Sequence, residues 1–284
     1  MKISEILTPA KQKLKTSGIA TPFLDAELLL ASALGKKREF VIGRPEYEVA
    51  NHDREVFEVL IKRRASFEPV AKIIGIKEFW GQDFIVSRAT LDPRPDSESL
   101  IEAALELFPD KNSAFKILDL GTGSGCLLLT ILKEYPNSQG IGVDIAQDTL
   151  NIAILNSQKI GLAKRSNFIL NDWTDGMEGK FDLIISNPPY IKKSDIEKLA
   201  PEVSIYEPRL ALDGGHDGLE FYRKLAPEMM GLLNKEGYAI FEFGKEQHLE
   251  IKEIFENAGM NFISFKNDLS DEPRCIIVGA NSAF

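Results

Sequence analysis

Through the first quarter of the chain, apolar residues recur at three- and four-residue intervals, a period that predicts helices. ISEILTPAKQKLKTSG is amphipathic and stops at Gly18. TPFLDAELLLASALG begins after a Thr-Pro start signal and stops at Gly35. NHDREVFEVLIKRRASF spaces Val56, Leu60 and Ile61 at helical intervals. No glycine-rich loop and no strand alternation precede residue 69, so residues 1–75 read as a small helical bundle. The character then changes. VAKIIG and FIVSRATL are β-rich and are separated by IKEFWGQD, with Gly81 at the turn, which predicts a β-hairpin linker ending at residue 92.

From residue 93 onward, strand and helix patterns alternate. DSESLIEAALELF reads as a helix with Asp96 as its N-cap and Leu100, Ala103, Ala104 and Leu107 on one face. FKILDL is a strand, CLLLTILKEYP a helix, GIGVD a strand, DTLNIAILNSQKIG a helix, and NFIL and FDLIIS are strands. A helix (GLEFYRKLAPEMMGLL), a strand (GYAIFEF), a helix (EQHLEIKEIFENAG) and two strands (FISFKN and RCIIVGA) complete the chain. This order predicts an α/β fold with a doubly wound, mostly parallel sheet over residues 93–284. The last two strands have too short a connection for a crossover, so they must pair antiparallel.

Composition changes this picture little. The 284 residues are 44% hydrophobic and 27% charged, as in ordinary globular proteins, and suffice for one large domain plus a smaller unit. No stretch reaches the roughly 18 apolar residues a membrane span needs, and no basic, apolar leader opens the chain, so neither a membrane partner nor export is expected. The net charge of −9 argues against a large phosphate-contacting surface, although KRRASF is locally basic. Cys126 and Cys275 lie in apolar stretches away from each other and read as reduced core residues of a cytoplasmic protein. The three histidines are scattered, so no metal site is expected.

Candidate chemistry clusters where strands end. DLGTGSG follows the first strand of the alternating region and opens a helix. Gly121, Gly123 and Gly125, with Thr122 and Ser124 between them, allow a tight turn and close approach of a ligand. A dinucleotide fingerprint would put its third glycine at position 126, which is Cys126. Asp144 ends the next strand, where a carboxylate can accept from ribose hydroxyls. Asn171-Asp172-Trp173 follows NFIL and offers polar groups for an adenine edge and an indole for its face. With no P-loop lysine, these signals favour S-adenosyl-L-methionine over NAD or ATP. Each also has a plainer use: strand–helix packing, a helix cap, a core tryptophan.

The fourth strand, FDLIIS, runs into Asn187-Pro188-Pro189-Tyr190. Two prolines supply carbonyl acceptors and no N–H donors on a rigid backbone. The Asn187 side-chain oxygen and the Pro188 carbonyl can accept both hydrogens of one planar NH2 group, and Tyr190 can pack on its flat face. An amide nitrogen is a weak nucleophile. Acceptors that bind its hydrogens more strongly as they gain positive charge favour the transition state of methyl transfer. A plain proline turn is the structural alternative.

Beyond NPPY, three stretches carry a resemblance over nearly the whole chain: RRASFEPVAKIIGIKEFWGQDF (63–84), LDPRPDSE (91–98) and YEPRLALDGGHDGLEFYR (206–223). The sequence resembles the release-factor glutamine methyltransferases, the HemK family. The resemblance implies a helical substrate-recognition domain and a Rossmann-like class I methyltransferase domain whose seven-stranded sheet has its last strand antiparallel. It implies methylation of the glutamine of the Gly-Gly-Gln motif in peptide chain release factors; the chain is expected to act in the cytoplasm and as a monomer. It places Gly121 to Gly125 at the methionine part of the cofactor, Asp144 at the ribose, Asp172 and Trp173 by the adenine, and Asn187 to Tyr190 on the glutamine. Arg94 and Glu98 stand near the site, or serve as an ion pair and a helix-terminal acid. GGHDG (214–218) is a loop over the site or a surface turn. The chain departs from the family pattern at Asp92, at Asp96-Ser97 and at DEPR, none of them in the segments assigned to methyl transfer. A nucleic-acid amino-methyltransferase would share the acceptors but needs a basic groove. A dehydrogenase conflicts with the glycine spacing, and a non-catalytic binding module leaves NPPY without a use.

Overall fold

A computed structural model describes residues 1–268 and 270–280, which divide into two compact units. The first comprises Met1–Ile76 together with Ala200–Tyr206. Its helices are α1 (Ile3–Thr16), α2 (Pro22–Ala33), α3 (Arg38–Gly43), α4 (Asn51–Ala65) and α5 (Val70–Ile74). Ile3, Leu14, Leu29, Leu30, Phe57 and Ile61 form its core, with the helical spacing that the sequence displays. A buried ion pair crosses this core, Arg64 Nε to Asp25 at 2.7 Å, and the same guanidinium reaches Glu202 at 3.1 Å.

Two features of this region differ from expectation. REFVIG forms α3, a helix too short to leave a periodic signal. VAKII is α5 and not a strand. Ile73 is buried in the helical core, Val70 and Ile74 pack against it, and this i, i+3, i+4 contact outweighs their β propensity. The helix ends at Gly75.

The hairpin therefore lies further along, with β1 (Ile76–Phe79) and β2 (Gln82–Ile85). Trp80 and Gly81 form its turn at φ 51° and 67°, the positive values that suit two-residue hairpins. Phe79 and Phe84 are buried in the core of the second unit, so the hairpin belongs to that unit.

The second unit runs from Lys77 to Leu199 and from Glu207 onward. After the hairpin come α6 (Glu98–Leu107), β3 (Lys116–Leu120), α7 (Cys126–Glu134), β4 (Gln139–Asp144), α8 (Gln147–Ile160), β5 (Ser166–Leu170) and β6 (Phe181–Ser186). A four-residue helix α9 (Pro201–Ser204) lies in the segment assigned to the first unit. Then follow α10 (Glu220–Leu232), β7 (Leu233–Glu242), α11 (His248–Asn257), β8 (Asn261–Asn267) and β9 (Pro273–Gly279). The expected cap of α6 shifts by one residue. A 3-10 turn over Pro95–Ser97 precedes the helix and makes Ser97 its N-cap, while Asp96 pairs with Arg274 at 3.3 Å.

Seven strands form one sheet in the order β5-β4-β3-β6-β7-β9-β8. All neighbours are parallel except β9, which is antiparallel to both β7 and β8. This is the mixed, doubly wound sheet that the alternation predicts. Successive residues feed opposite cores: Ile117, Leu183, Ile185 and Ile240 face α6 and α7, whereas Leu118, Ile184 and Phe241 face α10 and α11. Burial on both faces explains why these strands read as nearly unbroken apolar runs. Strand order reverses between β3 and β6, so the loops leaving them diverge and open a crevice at the sheet's carboxyl edge.

Packing there is tight. A Cβ added at Gly142 of β4 would lie 2.7 Å from Thr122 Oγ1 and 2.8 Å from Phe168 Cδ1. Gly142→Ala should therefore destabilise the second unit by about 1–3 kcal/mol, the usual cost of overpacking. Urea titration measures this, and an unchanged midpoint would show that Thr122 and Phe168 yield freely.

Candidate active site

Three loops meet in the crevice. Gly121, Gly123 and Gly125 adopt φ of 71°, 58° and 79°, a conformation that side-chain-bearing residues rarely hold. The loop is fastened from beneath. Thr122 N–H donates to the Val143 carbonyl at 2.8 Å, and Thr122 Oγ1 donates to the buried Asp119 carboxylate at 2.6 Å. Asn156 of α8 bonds both the N–H and the carbonyl of Ile85 and donates to the Ser124 carbonyl at 2.9 Å. One buried amide thus ties the hairpin to the glycine loop.

Asp144 ends β4. One carboxylate oxygen accepts from Gly123 N–H at 3.1 Å and the other from Ala146 N–H at 3.0 Å. It bonds the residue that opens α8 without capping the helix itself, whose N-cap is Ala146, and it also lines the cavity, with lone pairs remaining on each oxygen. Burial raises its pKa. Trp173 sits at φ 56° after β5, its ring 4.9 Å from that of Phe221. A Cβ on Gly121 would lie 3.3 Å from this indole, so Trp173 walls the glycine loop while packing on the core. Asp172 turns out to the surface and pairs with Lys224 at 2.9 Å. Its neighbour Asn171 lines the cavity instead.

In the third loop, Asn187 and Pro189 line the cavity, whereas Pro188 and Tyr190 do not. Asn187 Nδ2 donates to Ser97 Oγ at 3.0 Å, which leaves Oδ1 as the acceptor this side chain has to offer. The Pro188 carbonyl accepts no hydrogen bond among the described residues. Tyr190 directs its hydroxyl to Glu242 at 3.2 Å, and burial together with the Glu242 charge pushes its pKa upward. GGHDG is not spread across the cavity mouth. It lies behind the loop: Gly214 N–H donates to the Ile191 carbonyl at 2.8 Å, and a Cβ on Gly214 would lie 2.8 Å from the Pro189 oxygen. Gln247 adds a bond to the Tyr190 carbonyl at 3.1 Å.

Arg94 lines the cavity while bonding Glu207 at 2.9 Å. Glu98 does not line it; its carboxylate accepts from Trp80 N–H at 3.0 Å and secures the hairpin turn. Two of the residues that depart from the family pattern, Asp92 and Ser97, do line the cavity, because the 89–97 segment folds along its wall. Cys126 is half-buried on that wall and Cys275 is buried in the core. Leu91 and Leu210, from two of the stretches that carry the resemblance, and Ile145 and Thr149, which carry no motif, complete the apolar and polar lining. The cavity suits a nucleoside bearing an amino-acid tail: a glycine cradle, a strand-end carboxylate, an indole and apolar side chains. No group of three or more His, Cys, Asp or Glu among the described residues is placed to hold a metal, and no helix among them is long and apolar enough to cross a membrane.

Residues 5–75 match the family model described as PrmC N-terminal domain, and residues 87–215 match the one described as Methyltransferase small domain. The chain is 40% identical to a release factor glutamine methyltransferase of Rhodospirillum rubrum, covering 99% of this chain and 86% of that one. It is 40% identical to the protein of the same name from Caulobacter vibrioides, over 95% and 93% of the two chains. Among solved structures, a methyltransferase from Pyrococcus furiosus aligns over 78% of this chain and 98% of its own with a TM-score of 0.53 at 20% identity, a likeness of fold.

Burial pushes Asp119 up to about 7. A carboxyl held above its unfolded value binds its proton more tightly in the folded state, so its contribution is complete below about pH 4 and lost as pH rises through about 7. Asp119→Asn keeps the shape without the charge. Between about pH 4 and about pH 8 it should lose less stability than the parent, by on the order of a few kcal/mol. Urea midpoints at the two pH values check this, and equal losses would show that Asp119 does not titrate in this range.

Proposed function

The chain belongs to the release factor glutamine methyltransferase family, and on that premise we propose that it transfers a methyl group from S-adenosyl-L-methionine to the side-chain amide nitrogen of the glutamine in the Gly-Gly-Gln motif of peptide chain release factors, as a monomer in the cytoplasm. The observation that carries the proposal is the Asn187 amide. Its nitrogen is committed to Ser97, and its oxygen remains for a donor in a cavity that also holds the glycine loop and Asp144.

When bound, S-adenosyl-L-methionine supplies a methyl group on a positively charged sulfur, electrophilic toward nitrogen. The loop from Gly121 to Gly125 receives its amino-acid end. Asp144 accepts from the ribose hydroxyls, with Trp173 beside the adenine and Asn171, rather than Asp172, offering the polar contact there. The Asn187 oxygen and the Pro188 carbonyl accept the two N–H groups of the substrate amide and aim its nitrogen at the methyl group. As the new N–C bond would form and the methyl–sulfur bond break, leaving neutral S-adenosyl-L-homocysteine, those hydrogens would become more positive and both bonds strengthen, so the pair favours the transition state over bound substrate. One N–H proton would then pass to solvent, giving the N-methyl amide. Pro189 narrows the cavity beside the amide, Tyr190 fixes the loop from behind, and Arg94 lies at the rim. The helical unit up to Ile76 serves to recognise the protein substrate, since no cofactor motif falls within it.

Mass spectrometry of a release factor incubated with the protein and labelled cofactor should show one added methyl on that glutamine; label entering an oligonucleotide instead would identify a nucleic-acid enzyme. Asn187→Ala should lower the single-turnover rate about 10²–10³-fold, the cost of removing one preorganised electrostatic partner, with affinity for S-adenosylhomocysteine little changed. Asn187→Asp keeps an acceptor and should retain partial activity. Asp144→Ala should instead weaken cofactor binding by about 1.5–3 kcal/mol, the range for hydrogen bonds to a charged group. Calorimetry separates the two effects, and tight NAD binding without S-adenosylhomocysteine binding would sink the cofactor assignment. Deleting residues 1–76 should preserve S-adenosylhomocysteine binding and abolish methylation of intact release factor.

A further inference from the structure

An asparagine amide can point either way, and only one orientation serves the clamp described above. Turned over, Asn187 would offer N–H groups to a substrate NH2 that has only N–H groups to give. Something must set the orientation. Asn187 follows β6, Ser97 lies in the turn before α6 and Glu242 ends β7, so three separate elements converge here. Ser97 Oγ donates to Glu242 Oε2 at 2.5 Å, and Asn187 Nδ2 lies 3.0 Å from the same Oγ. Tyr190 donates to the other carboxylate oxygen at 3.2 Å, and the Tyr222 hydroxyl donates to the Glu242 backbone carbonyl at 2.6 Å. Glu242 and Ser97 are 0% and 3% exposed.

We propose that Ser97 and Glu242 are positioning residues of the methyl-transfer site, forming a one-way hydrogen-bond chain that locks the Asn187 amide with its oxygen toward the substrate. A carboxylate only accepts, and a serine has one proton to give. With that proton on Glu242, Ser97 presents only lone pairs to Asn187. The amide nitrogen is bound there and the oxygen is driven to the cavity side. A flipped amide would set oxygen against oxygen in a buried place. Burial pushes Glu242 up to about 7, against the bonds from Ser97 and Tyr190 and the positive Arg274, which favour its charge, so the accepting carboxylate form prevails above about pH 7. Cys275, paired with Glu242 across the ladder, stays a neutral thiol because burial pushes it up to about 12. A buried carboxylate is costly, and a hydrophobic residue of the same volume would often serve stability as well or better. A directional role accounts for its presence where packing alone does not.

The proposal rests on the amide-clamp reading, and the test separates the two. Single-turnover methyl transfer to a release factor is measured for Asn187→Ala, Ser97→Ala, Ser97→Thr and Glu242→Met, alongside S-adenosylhomocysteine affinity and thermal midpoint. Ser97→Ala and Glu242→Met should each slow transfer about 10–100-fold, the range for outer partners that orient a ligating side chain. Ser97→Thr keeps the hydroxyl and should restore most of the rate. Cofactor affinity should stay within about twofold, and the Glu242→Met midpoint should be no lower than the parent's. If Ser97→Ala and Glu242→Met keep near-parental rates while Asn187→Ala loses its own, the chain does not set the amide and the proposal is overturned. If Asn187→Ala also keeps its rate, the clamp itself is wrong. Rate losses that only follow lost cofactor affinity or a lowered midpoint would make both residues structural and overturn the positioning role.

Discussion

Leu120 of β3 and Ser186 of β6 lie opposite each other in a parallel ladder, and the Ser186 hydroxyl closes on the Leu120 carbonyl at 2.7 Å. Most of the site's geometry depends on this pairing. The same Leu120 pairs with Val143 on its other side. The three strands therefore end at one level, and the next residues, Gly121, Asp144 and Asn187, emerge together. A one-residue slip of β6 would reverse its buried faces and carry Asn187 out of reach of Ser97. Apolar burial on both sides of the sheet fixes the register, and the register sets how the loops lining the cavity are spaced.

Support for the Asn-Pro-Pro-Tyr loop is unusually complete for a connection. Pro188 and Pro189 bring no N–H to bond, so the loop has no backbone donor at its two central positions. It is fastened through neighbours. Glycines 214 and 218 let the next backbone pass close behind it, Gln247 reaches the Tyr190 carbonyl, and Glu242 holds the Tyr190 hydroxyl. The Asn187 side-chain oxygen is thereby left for a ligand while the rest of the segment is held. GGHDG reads from sequence as a candidate lid because glycines suggest motion, yet its glycines are needed for close approach.

How far the sequence revealed all this follows from the range of the interactions. Helices α1, α2 and α4 and the strands of the large sheet were legible because burial imprints a period on consecutive residues. VAKII was not, since five residues, three of them β-branched, carry too short a period to separate helix from strand; packing of Ile73 decided it. The glycine loop, Asp144 and Asn187 were legible because each sits directly at a strand end. The resemblance sets Asp172 by the adenine, but the backbone after β5 turns that carboxylate to Lys224 and leaves Asn171 on the cavity wall. The bond from Ser97 to Glu242 spans 145 residues, and no local pattern encodes such a distance.

A weaker signal was nevertheless present. GYAIFEF and KILDL are strands buried on both faces, and each carries one acid, Glu242 and Asp119, with 0% exposure. Uncompensated burial of a carboxylate costs several kcal/mol, so an acid inside an apolar strand implies a fixed partner and a reason to retain the charge. In both cases the partner is a hydroxyl of the cavity wall, Ser97 or Thr122, and burial pushes each acid up to about 7. Local rules of patterning are broken at these two positions, and both lie directly behind the residues proposed to meet the ligands. The breaks in an otherwise apolar strand thus mark the second layer of the site as clearly as glycines and prolines mark the first.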